Sequence, residues 1–463
     1  MLLASTISIQ SSNQLADDTI LLPAKIVKKQ KIEAHFISIV VGTNHFFVKV
    51  IPSSKTTKLS INPYLAEKLC LTTVIEHDIP LHFKYDRKNA VLQLGPVLSI
   101  LVNPIKEGTI FPFGNITAFA EELSEVAKKN GILLYFVTAD ALMNAHELEG
   151  WFFTTHWQRK RLPFPNVVYN RIATRAMEQS EQVQMFLNTL NKLNIPYFNS
   201  RFFNKDEVFK ALEQDLTAAA ILPQSELLTQ LEQIKLMLRK HHTVYIKPID
   251  GRLGKGIFRI QYVLDSAKYK LEQANQSLEK AKYFSTFDRL ITHLKPKLSK
   301  QKYQIQQGIK LIHINHNPID FRVLVQKNGK GQWTVTSIVA RTAADNVFVS
   351  NIAKGGAIGT VAKILPDTSL SSMYTAESLT LELKKNALLI AKAFEANFSA
   401  VLGELGIDLA LDENGKVWLL EINGKPSKLT KAKVQTVKIR PSVKMLIAYS
   451  LFISGFKERE RSK

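Results

Sequence analysis

The stretch that most constrains the fold is GELGIDLALDENGKVWLLEINGKP, residues 403 to 426. It reads as two strands, ELGIDLAL and KVWLLEIN, around the turn Asp412-Glu413-Asn414-Gly415, a polar punctuation that closes hairpins. Asp408 stands inside the first apolar run, and Glu421 and Asn423 inside the second. Residues two apart on a strand emerge on one face, so Glu421 and Asn423 share a side and Asp408 can meet them across the hairpin. Acidic groups set in apolar strands are costly to bury without a cation. Two carboxylates and an amide oxygen form a hard-oxygen set suited to Mg²⁺, with Mn²⁺ as an alternative, phosphate and water completing the octahedron. The competing reading is a hairpin with an exposed polar face.

A second element is YIKPIDGRLGKGIFRI, residues 245 to 260. A strand delivers Lys247, and a loop with Gly251, Gly254 and Gly256 follows. Glycines let a backbone turn tightly and aim amide N–H groups at phosphate oxygens. Arg252 and Lys255 add local positive charge. The loop lacks the Gly-Lys-Ser/Thr ending of a Walker motif, and its lysine precedes the glycines, unlike a dinucleotide fingerprint. Taken alone, it is equally a glycine-rich hairpin with surface lysines.

Composition narrows the classes. Lys plus Arg number 61 against 40 Asp plus Glu, a formal charge of +21 over 463 residues. Such a surface favours anionic partners such as nucleotides, nucleic acids, acidic polymers or acidic membranes, or simply aids solubility. At 45% apolar and 22% charged residues, the chain has globular composition and is neither fibrous nor largely disordered. The single cysteine, Cys70, excludes a disulfide framework and a Cys-based metal site. No basic region precedes an apolar core at the N-terminus, and the apolar stretch from Met445 to Phe456 is too short to span a bilayer, so a soluble cytoplasmic protein is expected.

Three segments are expected in an α/β (α+β) chain. Residues 1–103 read as a β-rich domain, with a short helix at NPYLAEKLCL capped by Asn62. Residues 104–203 alternate helices (ITAFAEELSEVAKKNG, EQVQMFLNTLNKLN) with apolar strands (GILLYFVTA, PNVVYNRI), the pattern of a small parallel α/β unit. Residues 204–463 carry the chemistry, with a nucleotide lobe at about 204–305, a metal-binding lobe at about 306–463, and a Lys-rich segment at 265–302 expected as an exposed helical insertion.

Lys205, Lys247, the glycine loop and the Asp408…Glu421-x-Asn423 pattern resemble the ATP-grasp superfamily. More narrowly, VVYNRIATR (167–175), NSRFFNKDEVFKAL (199–212), IDFRVLVQKNGKGQW (319–333), SNIAKGGA (350–357) and LLEINGKPSK (419–428) resemble the spore-coat-associated YheC/YheD-type ATP-grasp family. The resemblance implies a two-lobed fold, use of ATP and Mg²⁺, and specific roles. Lys205 and Lys247 would reach the nucleotide phosphates under the loop 251–256. Gln306, Gln307, Gly308 and Ile309 would form the hinge whose backbone reads the adenine edge. Asp320 with Arg322, and Arg341 with Asn351, would sit beside the transferred phosphoryl group or the acyl substrate. Asp408, Glu421 and Asn423 would hold the metal. Some ligases of the superfamily place an arginine two residues before the metal Asp. Here that residue is Gly406, so Arg322 or Arg341 must supply the cation.

The implied activity is activation of a carboxylate as an acyl-phosphate for attack by an amine. No Ser-His-Asp or Cys-His constellation competes with it. Alternatives are a nucleotide-binding structural or spore-coat protein without turnover, and a kinase on the same fold. Residues 424–456 contain Lys425, Lys428, Lys431, Lys433, Lys438, Arg440 and Lys444 and no acidic residue, which raises an acidic peptide or polymer as substrate. No aromatic stripe accompanies this run, so specific nucleic-acid binding is not expected.

Overall fold

The computed structural model of the protein describes residues 6–105, 112–141, 147–251, 254–274, 281–299, 301–343, 357–428 and 439–456. Arg252 and Asn351 fall outside them, as do Lys431, Lys433 and Lys438. Four sheets organise the described chain, one of eight strands and three of six, the fourth counting the short strand His313–Ile314 that pairs with Asn317–Lys327 beside its main order.

The first sheet takes its strands from residues 6–95. Its short helix Pro63–Lys68 starts where expected: the Asn62 side chain accepts from the Leu65 N–H at 2.7 Å and Pro63 occupies the first turn, where its missing N–H costs nothing. The run 91–102 does not form one strand. It breaks at Pro96 into Val91–Gly95, which stays in the first sheet, and Val97–Leu101, which joins the second. A proline offers no N–H to a ladder, so it marks the crossing point.

In the second sheet, Val97–Leu101 lies between Leu133–Val137 and Val167–Asn170, all parallel, as the alternating pattern implied. An antiparallel hairpin, Glu147–Phe153 with Trp157–Pro163, extends the edge beyond Leu133–Val137. The helix Thr117–Lys129 packs Phe119, Leu123 and Val126 on one face. The first two sheets share one continuous core from Ile7 to Ile195. The last helix, Pro441–Ile453, returns to this part of the molecule and buries Val443, Leu446, Ile447 and Tyr449 against Phe119, Leu123 and Tyr169.

The third sheet runs Ser225–Leu227, Tyr303–Gln307, Thr243–Pro248, Phe258–Val263, Lys268–Gln273 and Lys282–Phe284. Its alternation is strict. Val244, Ile246, Phe258, Ile260, Leu271 and Ile305 face the helices Glu232–His241 and Phe287–Leu298, which places Tyr245, Lys247 and Gln306 on the opposite side. This corrects the expected helical insertion at 265–302. Lys268–Gln273 and Lys282–Phe284 are strands that complete the sheet, and Phe287–Leu298 buries Leu290 and Leu294 beneath it. The exposed faces of these strands carry Lys268 and Lys282, so their composition mimics a solvated helix.

The fourth sheet orders Ala357–Gly359, Trp333–Thr342, Asn317–Lys327, Glu404–Leu411 and Val417–Asn423. Ile319, Phe321, Val323 and Val325 alternate with Asp320 and Arg322, while Leu405, Ile407 and Leu409 pack on the same core. The long helix Ala376–Asn397 lies under that face with Leu379, Leu383, Ala387, Ile390, Ala391 and Phe394, spaced as one helical stripe. Burying these residues, at roughly 1.5–3 kcal/mol for each large side chain, fixes which face of the sheet is left for chemistry.

Candidate active site

The polar faces of the third and fourth sheets line one cavity of about 850 Å³. Lys205, Lys247, Asp408, Glu421 and Asn423 all line it, together with Gly251, Gly254, Lys255, Gln306, Gln307, Ile309, Asp320, Arg322 and Arg341. Gly256 and Gly308 do not.

Register builds the centre of the site. Asp320 lies opposite Arg341, Arg322 opposite Asp408, and Asp408 opposite Glu421. Arg322 grips Asp408 with two nitrogens, Nε and Nη2, the second at 2.8 Å. Arg341 donates Nε to Asp320 and sets Nη2 3.1 Å from Asp408 Oδ2. Asp320, Asp408 and Arg341 are all buried. Burial alone would raise the Asp408 carboxyl, but the guanidinium groups of Arg322 and Arg341 outweigh it and hold the pKa below the ordinary carboxylate value.

Gly406 explains the departure from the ligase pattern. A Cβ there would stand 2.9 Å from Pro426 Cβ and 3.5 Å from Arg322 Cδ. The Arg322 side chain occupies the space beside this position, so the cation reaches Asp408 from the neighbouring strand and a residue larger than glycine would crowd it.

The two lysines come from different elements. Asn204 caps the helix Lys205–Glu213 in a reciprocal box with Glu207, which fixes the first turn. From there Lys205 Nζ donates to the Gly251 carbonyl at 3.0 Å and lies 3.2 Å from Glu421 Oε1, tying the glycine loop to the carboxylate strand. Lys247 Nζ donates to Gln306 Oε1, whose Nε2 donates to Ser225 Oγ at 2.9 Å. Burial, and then the nearby Lys205, pull the Lys247 pKa down to about 8, against the opposing pull of Glu421.

The hinge expectation narrows. The Gln307 N–H already donates to Gln224 O and the Gly308 N–H to Thr243 O, at 2.9 and 2.8 Å. Gln306 faces Lys247 through its side chain. Gly308 serves close approach: a Cβ there would stand 2.5 Å from Thr243 Cγ2 and 2.9 Å from the Thr243 carbonyl oxygen.

A divalent cation suits the donor set. Asp408 and Glu421 are cross-strand neighbours, and the Asn423 amide donates Nδ2 to Asp408 Oδ2 at 3.5 Å, so the same amide turned to present its oxygen completes a hard-oxygen set at the cavity. Among the described residues no group of three His, Cys, Asp or Glu could hold a metal, so a cation here depends on the Asn423 amide and on phosphate or water. It also competes with Arg322 and Arg341 for Asp408.

Residues without an assigned role in the sequence also line the cavity. Arg171 and Arg175 from the segment 167–175 do so, with Lys425. Arg175 Nη1 stands 2.6 Å from Asp250 Oδ1 and Nη2 donates to Phe203 O, bracing the glycine loop against the middle of the chain. Only part of the basic run lies among the described residues, and three of its members there are paired. Lys425 pairs with Glu178, Lys428 with the fully buried Glu404, and Arg440 with Glu122. Lys425 and Lys428 are only 4% exposed at the side chain, so they do not form a polyanion-binding face. Lys444 remains at the surface.

Two α/β lobes that clasp a cavity with paired lysines, a glycine loop and a carboxylate–amide cluster define an ATP-grasp protein. A family model described as YheC/D-like ATP-grasp matches residues 194–453, and the chain belongs to that family. Endospore coat-associated protein YheD of Bacillus subtilis (strain 168) is 29% identical over 425 residues, 90% of this chain and 89% of that protein. Endospore coat-associated protein YheC of the same organism is 23% identical over 286 residues, covering 59% and 73%. Among solved structures, D-alanyl-alanine synthetase A from Vibrio cholerae is 12% identical with a TM-score of 0.45, covering 78% of this chain and 99% of that one. No described helix is long and apolar enough to cross a membrane.

Proposed function

We propose that the protein is an ATP- and Mg²⁺-dependent ligase that joins a carboxylate to an amine, with ADP and phosphate as by-products. The observation that carries this reading is the convergence of Lys205, Lys247, Arg322, Arg341, Asp408, Glu421 and Asn423 on one cavity. A substrate carboxylate oxygen attacks the γ-phosphorus of ATP, the bond to the bridging oxygen breaks, and ADP leaves. The amine nitrogen then attacks the acyl carbon, the C–O bond to phosphate breaks, and the amine proton departs with the phosphate. Such transfer needs charge neutralisation and in-line placement more than a protein nucleophile.

Lys205 and Lys247 hold the phosphate chain, and the loop 251–256 covers it. Arg322 and Arg341 offset the charge that builds on the transferred group, and Asp320 and Asp408 orient them. A magnesium ion held by Asp408, Glu421 and Asn423 would neutralise the terminal phosphates. The relatives are named for the endospore coat, and we place this chain in the same setting.

The test is full-length protein with ATP, Mg²⁺, hydroxylamine and a panel of amino acids and short acidic peptides. Hydroxamate formation matched by ADP release is expected for at least one carboxylate. Phosphate retained on an acceptor hydroxyl would identify a kinase. Tight nucleotide binding with no turnover across the panel would identify a structural nucleotide-binding protein.

A further inference from the structure

The cavity has a wall that the nucleotide machinery does not use. Asn103, Asn115 and Arg171 from the second sheet's side line it beside Lys425. Most charges there are matched one to one, Arg175 with Asp250 and Lys425 with Glu178. Arg171 is the exception. It shares the buried Glu404 with Lys428, and its own distance to that carboxylate is 3.5 Å, the longer of the two. Glu404 also accepts from the Tyr169 hydroxyl and from Gln326 Nε2, the latter at 3.1 Å. Among the described residues, two cations therefore meet one carboxylate, and one positive charge is left over.

The geometry of Arg171 agrees with the charge count. Its side chain is 8% exposed, and Nη1 donates to the Pro426 carbonyl at 3.0 Å. Its Nε is buried with no hydrogen-bond partner among the described residues. A buried donor left unpaired and a buried charge left uncompensated are both unfavourable. A small monoanion in the cavity, meeting the part of the guanidinium that remains exposed, offsets the surplus charge. A phosphate dianion would overshoot a surplus of one charge.

We propose that Arg171 anchors a non-reacting carboxylate of the substrate. The carboxylate to be activated has to be free to attack phosphorus beside Arg322 and Arg341, so the one paired to Arg171 is a second, spectator group. The reactive end of the substrate then points toward the phosphates while Arg171 fixes its other end. Identifying that carboxylate as a substrate's rests on the ligase reading, whereas the anion site itself does not.

The experiment uses full-length protein saturated with Mg²⁺ and a non-hydrolysable ATP analogue, so that Arg322 and Arg341 face the nucleotide. Trifluoroacetate is titrated and its binding followed by fluorine NMR. A saturable site is expected, displaced by acetate and not by neutral trifluoroacetamide. R171M should weaken it by about tenfold or more, and R171K, which keeps the charge but not the fork, by an intermediate factor. Each variant is first shown to be folded by its thermal transition; should R171M unfold, R171K alone is read. Absence of a saturable site, an unchanged affinity in a folded variant, or displacement by inorganic phosphate at lower concentration than by acetate would overturn the assignment. A missing hydroxamate product with the trifluoroacetate site intact would count against the ligase reading alone.

Discussion

Lys247 offers a direct handle on nucleotide binding. Its ammonium has a pKa of about 8 where an ordinary lysine has 10.5, because it is buried near a second lysine. A bound triphosphate places negative charge beside it and restores the protonated form, so binding becomes linked to proton uptake. If the bound value returns to the ordinary one, the free lysine is ~3% protonated at pH 9.5 and the bound lysine ~90%. ATP affinity should then fall by roughly thirtyfold between pH 7 and pH 9.5. Calorimetry in two buffers of different ionisation enthalpy should show uptake of ~0.9 proton at pH 9.5 and ~0.1 at pH 7.

The sign follows from the direction of the shift. A cation that is easier to deprotonate in the empty site is protonated at neutral pH without help and loses affinity for phosphate only above its depressed value. Lys247→Arg removes the linkage, since a guanidinium stays charged throughout this range. Wild-type affinity that stays flat from pH 7 to 9.5, or a Lys247→Arg variant that keeps the full dependence, would refute the reasoning.

Other outcomes follow from the same contacts. Glu421→Ala should lower ADP release by about a hundredfold or more while the thermal transition stays nearly in place, because the residue is partly exposed and its ion pair is with Lys205; full turnover by the folded variant would remove Glu421 from the metal site. Glu404→Gln strips two buried cations of their carboxylate and should cost about 3–5 kcal/mol in denaturant unfolding. Gly308→Ala drives a Cβ into Thr243, with its nearest backbone oxygen at 2.9 Å, and should cost roughly 1–3 kcal/mol by the same measurement.

The centre of the site was legible because strands make it local. Asp408, and Glu421 with Asn423, announce themselves as acids and an amide in apolar runs, and strand alternation then decides which face they share. The Asn62 cap and the parallel strands of the second sheet were legible for the same reason, each being set by a few neighbouring residues. What escaped was set by partners distant in the chain. Lys425 and Lys428 look like surface charge until Glu178 and Glu404, 247 and 24 residues away, are brought against them. The strands Lys268–Gln273 and Lys282–Phe284 show the opposite problem, since the exposed side of a sheet near its edge tolerates the same lysines as a solvated helix. The pairing of Glu147–Phe153 with Trp157–Pro163 is hidden in the sequence because Arg159, Lys160 and Arg161 mask its β character. Arg171 lies in a motif to which the sequence attaches no role, and the one proposed for it rests on its unmatched charge inside the fold.

The return of Pro441–Ile453 to the second sheet bears on how the gene can be cut. A break near residue 203, attractive as a seam between the catalytic half and what precedes it, would leave one fragment with an uncovered apolar flank and the other with a helix stripped of one of its two packed faces. Fragments made that way are expected to clump, and co-expression of both pieces should rescue them, because each carries the lid for the other's wound.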